Sequence, residues 1–175
     1  MGLRIAIDGA SRDNPGAAGI GVVVYNDDDE VVREIGEYIG ETTNNVAEYK
    51  ALIRGLEEAL RMGAREIYVQ TDSELLARQV SGIYRVKSAN LMPLYIQARS
   101  LFSKFKEARV VHVRRELNAH ADRLASDAAR RRTDYRPDGR PGRSRAKPPK
   151  QSAPRPRKHI QLGLDLNEDE SYGKR

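Results

Sequence analysis

The sequence predicts an α/β fold, a mixed five-stranded sheet with helices packed on it, in the order β-β-β-α-β-α-α-β-α. Three observations point there. Three β-rich segments separated by turn residues open the chain, the pattern of an antiparallel meander. Helical and strand-like segments then alternate, which builds parallel strands onto the same sheet. The helical segments carry apolar stripes on one side only, so they pack on the sheet. About 130 residues can bury an adequate core of this kind.

Each element has its own signal. Leu3-Arg4-Ile5-Ala6-Ile7 alternates and ends on Asp8, a strand closing on a carboxylate. Asp13-Asn14-Pro15-Gly16 is a turn. Residues 20–25 are a β-branched strand, Asp27-Asp28-Asp29 a polar hairpin turn, and residues 31–39 a returning third strand. Thr43 or Asn44 caps a helix running to about residue 62, with Val46, Tyr49, Leu52, Ile53, Leu56 and Leu60 on one stripe. Gly63 suits its C-terminal end. Residues 66–71 form a short strand that again delivers a carboxylate, Asp72. Residues 73–80 and 90–105 read as helices, the first stopped by Gly82. Residues 109–113 read as a strand in which His112 alternates with inward valines and has a structural role. Residues 118–131 close the body as a helix with Ala121, Leu124, Ala125 and Ala128 inward.

Charge divides the chain more sharply than its total of +6 suggests. Residues 1–129 hold 17 Lys and Arg against 19 Asp and Glu, a net of −2. Residues 130–160 hold 12 against 2, a net of +10. Residues 161–175 return to −2, with 2 against 4. Six of the eight prolines fall at Pro137, Pro141, Pro148, Pro149, Pro154 and Pro156, where apolar residues nearly vanish. Such a stretch cannot bury enough surface to offset its ordering entropy. We therefore divide the chain into a folded body (1–131), a basic Pro/Arg-rich linker expected to be disordered (132–159) and a C-terminal tail (160–175). There is no cysteine, which removes disulfides, thiolate metal sites and cysteine nucleophiles. The N-terminus lacks a signal-peptide pattern, and no apolar run approaches the ~20 residues of a membrane helix. A soluble, cytoplasmic monomer is expected.

Four carboxylates stand out by position. Asp8 and Asp72 end strands, and they converge at one sheet edge if those strands are neighbours. Glu48 lies about one turn into the first long helix, and Asp122 near the start of the last. Clustered carboxylates repel and become stable together around cations. All-oxygen ligands suit Mg²⁺ or Mn²⁺, and two such ions clamp a phosphodiester for hydrolysis without a side-chain nucleophile. Taken singly, each of these residues is as readily a helix cap or a solvated turn residue.

The surrounding residues resemble type 1 ribonuclease H, in four motifs in family order over roughly residues 1–130. They are Asp8-Gly9-Ala10-Ser11-Arg12-Asp13-Asn14-Pro15-Gly16, then Thr43-Asn44-Asn45-Val46-Ala47-Glu48-Tyr49-Lys50-Ala51-Leu52, then Thr71-Asp72-Ser73, then Asn118-Ala119-His120-Ala121-Asp122-Arg123-Leu124-Ala125. The resemblance implies the ribonuclease H-like fold, with Asp8, Glu48, Asp72 and Asp122 as catalytic and metal-binding carboxylates for two Mg²⁺ or Mn²⁺ ions. It implies an endoribonuclease that hydrolyses the RNA strand of an RNA–DNA hybrid, leaving 5′-phosphate and 3′-hydroxyl ends. It also implies substrate contacts: Asn14, Asn44 and Asn45 in the hybrid's minor groove, and Thr43 at a DNA phosphate. RNA is distinguished there by its 2′-hydroxyl, which amides can both donate to and accept from. Two other readings stay open, the same fold acting on double-stranded RNA and a non-catalytic hybrid-binding module.

The chain departs from the family pattern in several places. Glu74 stands where many members have glutamine, and a carboxylate near RNA phosphates is expected to turn away or weaken binding. The stretch Val113-Arg114-Arg115-Glu116-Leu117 has no histidine where many members carry one, and Glu116 is a candidate substitute. His120, two residues before Asp122, is expected to point away from the site. Gly82 to Ala89 is too short for the family's basic protrusion. The basic linker is a candidate replacement for that attraction to a polyanion, its binding steeply salt-dependent. Beyond it, Gln161, Leu162, Leu164 and Leu166 resemble the Gln-Leu-x-Leu-x-Leu/Phe peptide that docks bacterial proteins on the DNA sliding clamp.

Overall fold

The computed structural model describes residues 1–134. Five strands form one sheet: β1 (Gly2–Ser11), β2 (Gly16–Tyr25), β3 (Val31–Thr42), β4 (Glu66–Thr71) and β5 (Glu107–His112). Their spatial order is β3-β2-β1-β4-β5, with β1, β2 and β3 antiparallel and β1, β4 and β5 parallel. The helices are α1 (Asn44–Arg61), α2 (Glu74–Val80), α3 (Met92–Phe102) and α4 (Ala119–Arg131). The expected fold class and element order are both found.

The two faces of the sheet follow from the period-two alternation. Leu3, Ile5 and Ile7 of β1, Ile20, Val22 and Val24 of β2, and Ile67 and Val69 of β4 meet Tyr49, Leu52 and Leu56 of α1 in the main core. Ala6 and Val23 point the other way and pack on Ala121 and Leu124 of α4. Two glycines let the helices come close. A Cβ at Gly9 would stand 2.2 Å from the backbone N of Glu48, and one at Gly21 would stand 2.0 Å from the carbonyl O of Ala121. The missing side chains thus seat α1 against β1 and α4 against β2, each beside a residue of the site.

Several boundaries differ from expectation for physical reasons. β2 begins at Gly16 rather than residue 20: Gly16, Ala17, Ala18 and Gly19 have weak strand propensity, but they pair with β1 and β3. β3 runs to Thr42 for the same reason, past a register shift opposite Ala18/Gly19. Asp8 therefore lies inside β1, paired with Gly21, rather than at its end. α3 is shorter than its apolar pattern, beginning beside Pro93 and stopping at Phe102. The last helix is preceded by a tight 3-10 turn, Arg115–Asn118. His112 does not alternate with inward valines. Val110 is the valine packed on the core, and His112 shares its face but lies exposed at the free rim of β5. The body extends slightly past residue 131, since the Asp134 carboxylate accepts a hydrogen bond from the backbone N of Tyr38. The linker from residue 135 onward and the tail lie outside the described residues.

Candidate active site

Parallel pairing of β1 with β4 ends at Ala6↔Gln70, so Asp8 and Asp72 each stand two residues beyond the last rung. They are level with each other at the same end of the sheet. Thr43 caps α1, its hydroxyl oxygen accepting from the backbone N of Val46 at 3.4 Å, and Glu48 follows on the turn seated over Gly9. Asp122 lies in the first turn of α4. The four carboxylates line one cleft with Gly9, Ala10, Ser11, Asn44, Arg115 and Ser126.

Asp8 is the most enclosed, at 8% exposure. Burial, then repulsion from Asp72 and Asp122, pushes its carboxyl up to about 9. Glu48 is pushed up to about 7, chiefly by burial, against the opposing effect of a hydrogen bond from Ser73. One Glu48 oxygen accepts from Asn44 Nδ2 at 2.8 Å and the other accepts from the Ser73 hydroxyl, which also caps α2. Asp72 accepts from Asn118 Nδ2 at 3.0 Å, and Asp122 is paired with Arg115 at 2.8 Å.

Among the described residues no three of these groups yet stand as the ligand set of one metal ion. Asn44 and Ser73 hold both oxygens of Glu48, and the Arg115 guanidinium stands on Asp122. The donors nonetheless fit a hard divalent cation. All are carboxylate oxygens, and the two most strongly shifted, Asp8 and Glu48, are pushed up first by burial and then by neighbouring carboxylates. Arg115 is largely exposed.

The expected substrate residues gather at one rim of the cleft. Asn14 Oδ1 accepts from the backbone N of Asn44 at 3.1 Å, joining the first turn of the chain to the start of α1. Asn44 Oδ1 accepts from the backbone N of Ser11 at 3.2 Å, so its side chain already bridges β1 and Glu48. Asn45 is exposed, and Thr43 keeps a hydroxyl proton to donate. Glu74 faces Arg78, accepting at 2.7 Å, and so is turned to a partner on its own helix. His120 reaches Glu34 of β3 and does not line the cleft, as expected. Glu116 is exposed and does not line the cleft either. Its neighbour Arg115 does, a residue to which the sequence alone assigns no role. Ser73 and Asn118 were also missed as functional residues. Their signals were a capping serine directly after a site carboxylate, and a polar side chain one turn before another. Gln161, Leu162, Leu164 and Leu166 lie outside the described residues.

Comparison with known proteins identifies relatives of this chain. The model of the "Reverse transcriptase-like" family matches residues 6–128. The bifunctional protein Rv2228c of Mycobacterium tuberculosis is 47% identical over 129 residues, 73% of this chain and 35% of that protein. The chain thus spans about a third of that curated relative. The crystal structure of RNase H1 from Halobacterium salinarum is similar at 39% identity and a TM-score of 0.72, covering 73% of this chain and 97% of that one. LC11-RNase H1, solved in complex with an RNA/DNA hybrid, is similar at 41% identity and a TM-score of 0.70, with 73% and 96% covered. The motifs, the strand order and these likenesses together place the chain in the type 1 ribonuclease H family.

Proposed function

We propose that this chain is an endonuclease that hydrolyses the RNA strand of RNA–DNA hybrids with two Mg²⁺ or Mn²⁺ ions. The observation that carries the reading is the convergence of Asp8, Glu48, Asp72 and Asp122 on one cleft, with Asp8 buried and its carboxyl pushed up to about 9. The similarity to LC11-RNase H1, which was solved with a hybrid, supports the choice of substrate.

When bound, such ions supply Lewis acidity to the attacking water and to the departing 3′ oxygen. The carboxylates of Asp8, Asp72, Glu48 and Asp122 would hold them. Asn14, Asn44 and Asn45 present an amide edge suited to the minor groove, and Thr43 presents its hydroxyl to a phosphate of the DNA strand. The new bond joins water oxygen to phosphorus and the P–O3′ bond breaks, so the fragments end in 5′-phosphate and 3′-hydroxyl. Burial of Asp8 keeps bulk water from solvating the carboxylate in place of a cation.

Side-by-side assay of RNA–DNA, RNA–RNA and single-stranded RNA with Mg²⁺ and with Mn²⁺, beside an Asp72→Asn control, tests the reading. Cleavage of the hybrid alone, lost in the control, is expected. Cutting of RNA–RNA at an equal rate would replace the substrate assignment, and no cutting with either ion would overturn the enzyme. We further propose that the basic linker (132–159) and the tail (160–175) assist delivery. The basic stretch would attract the polyanion, so removing it should flatten the salt dependence of hybrid binding. Docking on a bacterial sliding clamp predicts capture by clamp that is lost in Gln161→Ala and Leu164→Ala; capture indifferent to both would discard the motif. Among the described residues no helix is long and apolar enough to cross a membrane.

A further inference from the structure

Asn118 sits at the junction of β1, β4 and α4 and is 1% exposed. Its Nδ2 donates to the carbonyl O of Ile7 at 2.9 Å and to Asp72 Oδ1 at 3.0 Å. Both partners are acceptors only, so the amide orientation is forced: nitrogen faces them and oxygen faces away. That oxygen has no hydrogen-bond partner among the described residues, although it is buried. Burying an amide with one end unsatisfied costs stability, and an apolar residue of similar size would avoid the cost. The two bonds made by Nδ2 are what the chain keeps in exchange.

Their placement shows what they do. The β1/β4 ladder stops at Ala6↔Gln70, one residue before Ile7 and two before Asp72. Beyond that rung the paired register of the two strands ends. The Asn118 amide takes over, with one N–H on the β1 backbone next to Asp8 and the other on the carboxylate just past β4. It also begins the segment that carries Asp122, four residues on and one helical turn away.

We propose that Asn118 is a positioning residue that acts as a surrogate rung and sets the spacing of Asp72 from Asp8, with Asp122 tied to the same anchor. This rests on the metal-dependent reading of the four carboxylates. Asn118 touches neither water nor phosphate in this role. It keeps one oxygen of Asp72 fixed and leaves the other to face the cleft. Groups that orient ligating carboxylates characteristically influence metal affinity as much as turnover.

The test uses the full chain and Mn²⁺ alone as the probe, titrated calorimetrically without nucleic acid, then steady-state hybrid cleavage. In Asn118→Ala, Mn²⁺ affinity and kcat are each expected to fall roughly 10–100-fold, while KM for the hybrid stays within about twofold. Leu101→Ala, on the buried side of α3 and outside the cleft lining, should lower Tm but leave Mn²⁺ affinity unchanged. If Asn118→Ala fails to fold, Asn118→Ser, which keeps one short donor and the polarity of the site, decides by the same two readouts. Mn²⁺ affinity and kcat within twofold of wild type in a folded Asn118 variant would overturn the proposal. Wild-type protein that neither binds Mn²⁺ nor cuts hybrid would instead overturn the reading on which it rests.

Discussion

Replacing Asp8 by asparagine should stabilise the metal-free protein while abolishing its cleavage activity. The Asp8 carboxyl has an ordinary value of 3.8 and is pushed up to about 9 in the fold, so the native state holds a proton that the unfolded chain releases. Between these values the native state binds more protons than the unfolded state, and stability falls as pH rises. At pH 7 the group lies about 3 pH units above its unfolded value, which at ~1.4 kcal/mol per unit amounts to about 4 kcal/mol. Asparagine carries no such penalty and can still hydrogen-bond Asp72. For a body of this size, a gain of about 2–4 kcal/mol corresponds to a rise in Tm of roughly 8–15 °C. Thermal unfolding of wild type and Asp8→Asn in EDTA at pH 5, 7 and 8.5 measures it. The gap should be small at pH 5 and widen at each step, and Mn²⁺ should narrow it by stabilising wild type alone. Superimposable wild-type and variant curves at every pH in EDTA would refute the electrostatic account of the site.

Other substitutions probe other parts of the structure. Gly21→Ala would drive a methyl against the Ala121 carbonyl and lift α4 with Asp122, so hybrid cleavage should fall at least ~100-fold, from displacement on the order of 1 Å. A Gly21→Ala protein with normal turnover would show that α4 can shift without consequence. Glu58 is 1% exposed and bound by Arg33, Arg54 and Arg61, so Glu58→Ala should cost about 1–3 kcal/mol in urea unfolding through the loss of its charge-assisted hydrogen bonds. Turnover per folded molecule should be unaffected, because the cluster lies on α1 and β3 away from the cleft. Arg115→Ala removes the guanidinium standing on Asp122, and Mn²⁺ should bind the nucleic-acid-free protein severalfold more tightly; weaker binding would mean that Arg115 holds Asp122 in its ligating position.

Much of this architecture is legible in local chemistry. Ile5 and Ile7 alternate with Arg4 and Ala6 and give β1 its two faces, and the α1 stripe from Val46 to Leu60 is visible at helical spacing. Thr43 and Ser73 announce the starts of α1 and α2, where both act as caps. What is hidden depends on distant partners. Gly16 to Gly19 become strand because neighbours on both sides pair with them, which no local window contains. His112 is exposed because β5 is a rim strand, a fact of sheet order rather than of residue pattern. The four carboxylates are recognisable through their motifs, but their restraints are not. Asn118 lies 46 positions from Asp72 and 111 from Ile7, so its amide gains meaning only when β1, β4 and α4 meet.

The sheet order leaves two rims, β3 and β5, whose outer backbone groups have no strand beside them among the described residues. On β5, Glu107, Arg109 and His112 are exposed, with Lys106 at its start. On β3, the first residues Val31 and Val32 are partly uncovered, but Arg33, Glu34 and Glu37 follow at once. A neighbouring molecule adding a strand at either rim would have to bring its own side chains against these charges and strip water from them. The fold thus guards against open-ended stacking of sheets at high concentration. Neutralising Arg109 and Lys106 together would be the most direct way to remove that guard from the β5 rim.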